Sequence, residues 1–300
     1  MSQIFDAIHR SETQRRGVDL PEATAAPELL EAAERQLALD GAGARRQPDT
    51  EVKQFSQFPL ATVMLSPECK LVCVTDGESL AAEKFRYFGV RLRHLQQKRH
   101  FNRLLVTSSL PEEGKSTVAA NLAVILAARD QQKILLLDGD LRRPTLARQF
   151  GLGKRPGLSD WLQAETSPVM NICRLESLGF WLLPAGSPPA EPLALLQSDK
   201  LSVLMDQLKS WFDWIVIDSP PVLPLGDTSV WMRLCDAILL VTRPGRTEKR
   251  QLQRTLEALE QPKLLGALVN GSTEAASSSY YHYYHRVQPT VSSPADQPQQ

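Results

Sequence analysis

Arg103-Leu-Leu-Val-Thr-Ser-Ser-Leu-Pro-Glu-Glu-Gly-Lys-Ser-Thr-Val-Ala-Ala-Asn-Leu-Ala-Val-Ile-Leu-Ala-Ala128 is the stretch that decides the fold. Its first six residues read as a buried strand, and Val118–Ala128 reads as a helix. The nine residues Ser109–Thr117 join the two. A glycine-containing loop ending in Gly-Lys-Ser/Thr, set between a strand and a helix, is a phosphate-binding loop. Its backbone N–H groups and the positive end of the following helix surround a polyphosphate. The motif directs Lys115 to the β- and γ-phosphates and the Ser116 hydroxyl to Mg²⁺. The position that usually opens the motif with Gly holds Ser109.

Two further strands end in aspartate. Lys133-Ile-Leu-Leu-Leu-Asp138 runs into Gly139-Asp-Leu-Arg-Arg-Pro144, and Trp214-Ile-Val-Ile-Asp218 runs into Ser219-Pro-Pro221. In open parallel sheets, ligands bind beyond the carboxyl ends of the strands. Asp138, Asp140 and Asp218 therefore point toward the same loop. Mg²⁺ takes oxygen ligands and commonly uses one or two carboxylates. Asp140 and Asp218 suit that role with Ser116, which leaves Asp138 free to meet an attacking hydroxyl. Gly139 avoids crowding between two inward-facing carboxylates. Pro220 and Pro221 stiffen the loop after Asp218.

The near-continuous Ile/Leu/Val strands alternate with helical segments at 80–97, 115–129, 199–211 and 247–260. Strands buried on both faces argue for a parallel sheet covered by helices on each side. The predicted fold is α/β, a three-layer P-loop NTPase sandwich with a mainly parallel central sheet. Additional strands are expected at 180–183, 237–242 and 264–270, and short β-like runs at 61–65 and 70–75. Three parts follow from composition: a polar, partly helical extension over residues 1–57, the nucleotide-binding domain over 58–272, and a tyrosine-rich tail over 273–300. Ile4, Phe5 and Ile8 share a face of the first expected helix.

Lys plus Arg and Asp plus Glu each number 34, so no global charge draws nucleic acid. The four cysteines lack metal-ligand spacing and read as reduced thiols. The N-terminus has no apolar segment long enough for a signal peptide, and no run approaches the roughly 20 apolar residues of a membrane helix. The expectation is a cytoplasmic protein, brought to the inner face of the plasma membrane by a partner.

With these motifs in order, the chain resembles the bacterial tyrosine kinases, the P-loop autokinases of polysaccharide export. Ser109–Thr117, Leu135–Arg142 and Ile215–Pro221 carry the likeness. Phe150-Gly-Leu, Pro156-Gly-Leu-Ser-Asp160, Leu183-Pro-Ala-Gly186 and Leu195-Leu-Gln-Ser198 extend it over most of residues 80–284. The resemblance implies ATP and Mg²⁺ as cofactors. It assigns Pro111, Glu113, Gly114, Lys115, Ser116 and Thr117 to nucleotide binding. It also assigns Asp140 and Asp218 to the metal, and Asp138 to the tyrosine proton. The phosphoacceptors would be Tyr280, Tyr281, Tyr283 and Tyr284, four of the chain's five tyrosines. Full modification would add about −6 to −8 of charge to the tail. The implied partners are a membrane-embedded activator of chain-length control and further copies of the chain.

Two positions depart from that family. Its ring interface uses Glu-x-x-Arg-x-x-Arg; Glu83 and Arg86 match, but Gly89 replaces the last Arg. In the phosphate loop, Glu112 stands where Gly is common; if that site needs positive φ, the cost is about 1–3 kcal/mol. Two other readings stand beside the kinase. A partitioning-type ATPase would carry Lys where the chain has Leu110, and a non-catalytic nucleotide-dependent scaffold would not need every carboxylate. Arg243, Arg246 and Asn270, at the ends of later strands, are candidates to hold the base.

Overall fold

The computed structural model describes residues 55, 58–65, 69–128, 132–164 and 171–271. The chain divides into two units, Met1–Lys53 and Gln54–Gln300, and every described residue lies in the second. The expected N-terminal helices and the tyrosine cluster Tyr280–Tyr284 lie outside the described residues.

Among the described residues eight strands form one sheet: β1 (Leu60–Ala61), β2 (Arg103–Ser108), β3 (Ile134–Asp138), β4 (Cys173–Leu175), β5 (Phe180–Leu183), β6 (Trp214–Asp218), β7 (Ala237–Thr242) and β8 (Leu264–Val269). Their order is β1-β4-β5-β3-β6-β2-β7-β8. From β5 to β8 every pairing is parallel, and β4 runs antiparallel to β5. Alternate residues of the central strands enter two separate cores. Leu105, Leu135, Leu137, Ile215 and Ile217 face one; Leu104, Val106, Ile134, Leu136 and Val216 face the other. This two-sided burial is the physical basis of the uninterrupted apolar runs.

Among the described residues the α-helices are α1 (Val72–Thr75), α2 (Leu80–Arg99), α3 (Lys115–Ala127), α4 (Leu146–Gln149), α5 (Leu158–Gln163), α6 (Pro192–Leu196), α7 (Asp199–Trp211), α8 (Asp227–Leu234) and α9 (Lys249–Ala258). Helix α2 starts at Ser79, whose hydroxyl accepts the Ala82 N–H at 3.2 Å, and it carries Lys98 and Arg99 in its last turn. Both features satisfy the helix ends. Helix α3 has nine buried residues around its circumference, as a helix enclosed by sheet and helices requires. Phe55 packs edge-on against Trp181, with ring centroids 5.2 Å apart, and against Phe212.

Two expected strands are corrected. Only Leu60–Ala61 of the first region joins the sheet, and 72–75 form a helical turn. The buried Asn121 side chain fixes that turn, donating to the Lys70 carbonyl and accepting the Cys73 N–H. With those groups engaged, the segment has no ladder to join. Helix α8 and the short β4 carried too little periodicity to be read from sequence. No helix among the described residues is long and apolar enough to cross a membrane.

Candidate active site

Strand order sets β3, β6, β2 and β7 side by side, so their carboxyl ends deliver four loops to one place. The phosphate loop leaves β2 and enters α3. Gly114 has φ +91°, and a Cβ there would lie 2.0 Å from the Asn270 side-chain nitrogen. Only glycine fits both restrictions. Glu112 also takes a positive φ, +65°. Ser109 is fully buried, and its hydroxyl has no hydrogen-bond partner.

The Glu113 side chain is engaged within the protein. Its carboxylate is fully buried and accepts the Leu110 N–H at 2.7 Å, the Arg243 N–H at 3.3 Å and the Thr247 hydroxyl. Its carbonyl accepts the Asn270 Nδ2–H at 2.9 Å. The side chain is thus consumed in shaping the loop, which leaves only its backbone for a nucleotide. Of the candidate base contacts, Asn270 joins this clasp by its side chain and Arg243 by its backbone N–H alone. The Arg246 guanidinium lies 2.6 Å from Glu112.

Asp138 and Asp218 are register partners on β3 and β6, and both are fully buried. Asp138 is not left free: Oδ2 accepts the N–H groups of Thr145 at 3.1 Å and Leu146 at 3.0 Å, and the Asp140 amide faces Oδ1 at 3.4 Å. The chain turns back over the strand end and fills those positions. Asp140 sits 3.2 Å from the Lys115 ammonium and accepts the Arg143 N–H at 3.0 Å. Neither oxygen of Asp218 makes a hydrogen bond of normal geometry, although the Ser116 hydroxyl and Lys115 lie beside it.

Burial raises the proton affinity of both aspartates. For Asp138 the neighbouring Asp218 charge adds to the rise, and backbone hydrogen bonds oppose it. For Asp218 the Lys115 charge and Ser116 hydroxyl oppose burial. Burial alone would lower the Lys115 pKa, but Asp218, Asp140 and Asp138 together raise it, so this lysine stays charged. The donor set fits a hard cation: a buried carboxylate with two unpartnered oxygens, next to a serine hydroxyl. Among the described residues no three His, Cys, Asp or Glu side chains converge to hold an ion unaided. Mg²⁺ usually keeps several waters and joins one or two carboxylates to phosphate oxygens.

Sequence reasoning missed the residues that brace this site. The indole N–H of Trp231 donates to the Gly139 carbonyl at 3.1 Å, and Arg142 makes a two-pronged ion pair with buried Asp227 at 2.7 and 3.0 Å. The crowding that requires Gly139 is also corrected. A Cβ there would meet the Trp231 ring at 2.8 Å and the Asp218 carbonyl at 3.0 Å, rather than two carboxylates. The only sequence signal for these partners was a tryptophan and an aspartate four residues apart in a polar stretch.

On α2, Glu83 pairs with Arg86 at 2.6 Å, and both are exposed. Gly89 faces inward instead, where a Cβ would lie 2.4 Å from Ile125 Cγ2 on α3.

A strand, phosphate loop and helix beside carboxylates at the ends of two neighbouring parallel strands define a nucleotide-binding P-loop NTPase. The family model described as ParA, NUBPL iron-transfer P-loop NTPase, matches residues 101–279. Within that class the relatives are specific. The chain is 33% identical over 215 residues to tyrosine-protein kinase YwqD of Bacillus subtilis, covering 71% of this chain and 90% of that protein. It is 33% identical to the putative tyrosine-protein kinase CapB of Staphylococcus aureus, covering 69% and 91%. It is 31% identical to tyrosine-protein kinase etk of Escherichia coli, of which it spans 29%. The solved kinase domain of Escherichia coli ETK superposes with a TM-score of 0.65 at 26% identity, covering 78% of this chain and 97% of that domain. The chimerical protein CapA2B2 gives 0.62 at 28% identity, covering 74% and 98%. The chain belongs to the bacterial tyrosine-protein kinases.

Proposed function

We propose that this tyrosine kinase transfers the γ-phosphoryl of Mg-ATP to the tyrosines of its own tail, Tyr280, Tyr281, Tyr283 and Tyr284. The observation that carries the reading is Asp218, a buried carboxylate with both oxygens unpartnered beside Lys115 and Ser116. That arrangement is costly unless something cationic completes it. Ser116, Asp218 and Asp140 would hold Mg²⁺, which when bound supplies charge neutralisation at the phosphates. Lys115 is kept cationic by three aspartates and binds phosphate oxygens, exchanging its partner Asp140 for the nucleotide.

In the transfer, the phenolic oxygen forms a bond to the γ-phosphorus while the bond to the β–γ bridging oxygen breaks. ADP leaves with that electron pair. Asp138 takes the phenolic proton, and its raised proton affinity suits it to hold one. The Thr145 and Leu146 amides occupy only Oδ2, so Oδ1, which faces the Asp140 amide at 3.4 Å, is the oxygen that takes the proton.

The physiological role we infer is control of exopolysaccharide or capsule polymerisation and export through a membrane-embedded activator, with the chain acting as a homo-oligomer at the membrane's inner face. The names of the relatives support this role by family analogy.

The test is incubation of the full chain with Mg-ATP followed by phosphopeptide mass spectrometry. Phosphotyrosine on Tyr280–Tyr284 is expected in wild type and lost in Lys115→Met, Asp138→Asn and the four-Tyr→Phe variant. ATP hydrolysis without tail labelling would overturn the reading.

A further inference from the structure

Beyond Asp138, the last residue of β3, the segment Gly139–Arg142 carries Asp140 without regular secondary structure of its own. Its rigidity must come from what touches it. Besides the hydrogen bonds within its own turn, three contacts hold it from outside, and two come from α8. The Gly139 N–H donates to the Asp218 carbonyl at 2.7 Å, which ties the segment to β6. The Gly139 carbonyl accepts the Trp231 indole N–H at 3.1 Å. Two residues past Asp140, Arg142 lays its guanidinium on Asp227 through two hydrogen bonds, at 2.7 and 3.0 Å.

Trp231 and Asp227 are both fully buried, and they stand one helical turn apart on α8. Together they grip the segment on either side of Asp140. The fork-to-carboxylate geometry fixes direction as well as distance. Asp140 is held in turn by the Arg143 N–H, so a displaced Arg142–Arg143 would carry Asp140 away from Lys115.

We propose that Trp231 and Asp227 are positioning residues that set Asp140 in place for the metal ion. The proposal rests on the reading of Asp140 and Asp218 as magnesium-holding carboxylates. Residues one layer behind a metal's ligands orient those ligands, and their loss costs about 10- to 100-fold in affinity or activity. Trp231→Phe removes the donor while keeping an aromatic ring in the core. Asp227→Asn keeps the shape but removes the charge that anchors Arg142.

The test is calorimetric titration of ADP into the nucleotide-free full chain, with and without Mg²⁺, alongside a thermal melt. Wild type should bind ADP more tightly with Mg²⁺. In Trp231→Phe that Mg²⁺-dependent gain should shrink by about tenfold while Mg²⁺-free affinity stays at the wild-type value. Asp227→Asn should behave alike, which keeps the proposal open to test if one variant melts below the assay temperature. In an Asp140→Asn background, Trp231→Phe should add nothing further, since a residue acting through Asp140 has nothing left to position. Wild-type Mg²⁺ dependence in a folded Trp231→Phe and a folded Asp227→Asn overturns the proposal, as does an equal loss of affinity with and without the metal. Failure of the underlying site reading looks different: Asp140→Asn itself would then keep the full Mg²⁺ gain.

Discussion

The Arg246 guanidinium reaches across from the loop after β7 to the Glu112 carboxylate in the phosphate loop, 2.6 Å away. Glu112 holds φ +65°, a conformation that costs a non-glycine residue about 1–3 kcal/mol. Both partners are about half exposed or more, and such pairs contribute only about 0–1 kcal/mol. The ion pair therefore offsets only part of the backbone cost. Glu112→Gly should leave stability unchanged or raise it by up to about 3 kcal/mol in urea unfolding. Arg246→Ala should lower it by less than about 1 kcal/mol, and the loss should fade in concentrated salt. A larger, salt-independent loss would show that Arg246 does more than pair with Glu112.

Glycine at 114 should prove irreplaceable. The positive φ and the Asn270 nitrogen 2.0 Å from any added Cβ act together. Gly114→Ala should abolish ADP binding measured by calorimetry. Asn270→Ala removes one hydrogen bond to the Glu113 carbonyl, worth about 1 kcal/mol, so ADP affinity should fall about fivefold. Unchanged affinity in Asn270→Ala would mean the loop keeps its shape without that bond.

Gly89 explains why the family's last interface arginine cannot simply be restored. Gly89→Arg drives side-chain atoms into Ile125 and should destabilise the chain by roughly 1–3 kcal/mol. Adding Ile125→Ala makes room, so the double variant should lose less than the sum of the two single changes. Additive losses across that cycle would refute a direct steric conflict.

The buried aspartates predict an unusual pH dependence for the nucleotide-free protein. Asp138 binds its proton more tightly folded than unfolded, with its pKa raised from 3.8 to about 8. Between those values the folded state holds more protons than the unfolded state, so stability falls as pH rises. The contribution is fully present below pH 3.8 and is lost through about 8. Thermal melts of Asp138→Asn should show a weaker decline over this window than wild type. Parallel wild-type and variant curves would exclude a raised Asp138.

The sequence by itself determined the phosphate loop, the five central strands and the three aspartates at strand ends, because each is encoded within one short window. A strand buried on both faces must be continuously apolar, and β6 reads Trp-Ile-Val-Ile-Asp with every residue buried. Glycine followed by Lys-Ser-Thr needs only its local strand and helix to be read. Glu112 stood out in the sequence only as a departure from the glycine common in the resembling family; that φ turns positive there is a finding of the structure.

What tertiary structure alone decided are the contacts between windows. Glu113 became a loop clasp because Arg243, Thr247 and Asn270 arrive from more than a hundred residues away. Asp138 lost its freedom to amides of the returning chain at 145–146. Gly139 is required by Trp231, which is 92 residues distant. Burial, close approach and hydrogen-bond satisfaction are properties of neighbours in space, and the spacing of residues along a chain does not encode them.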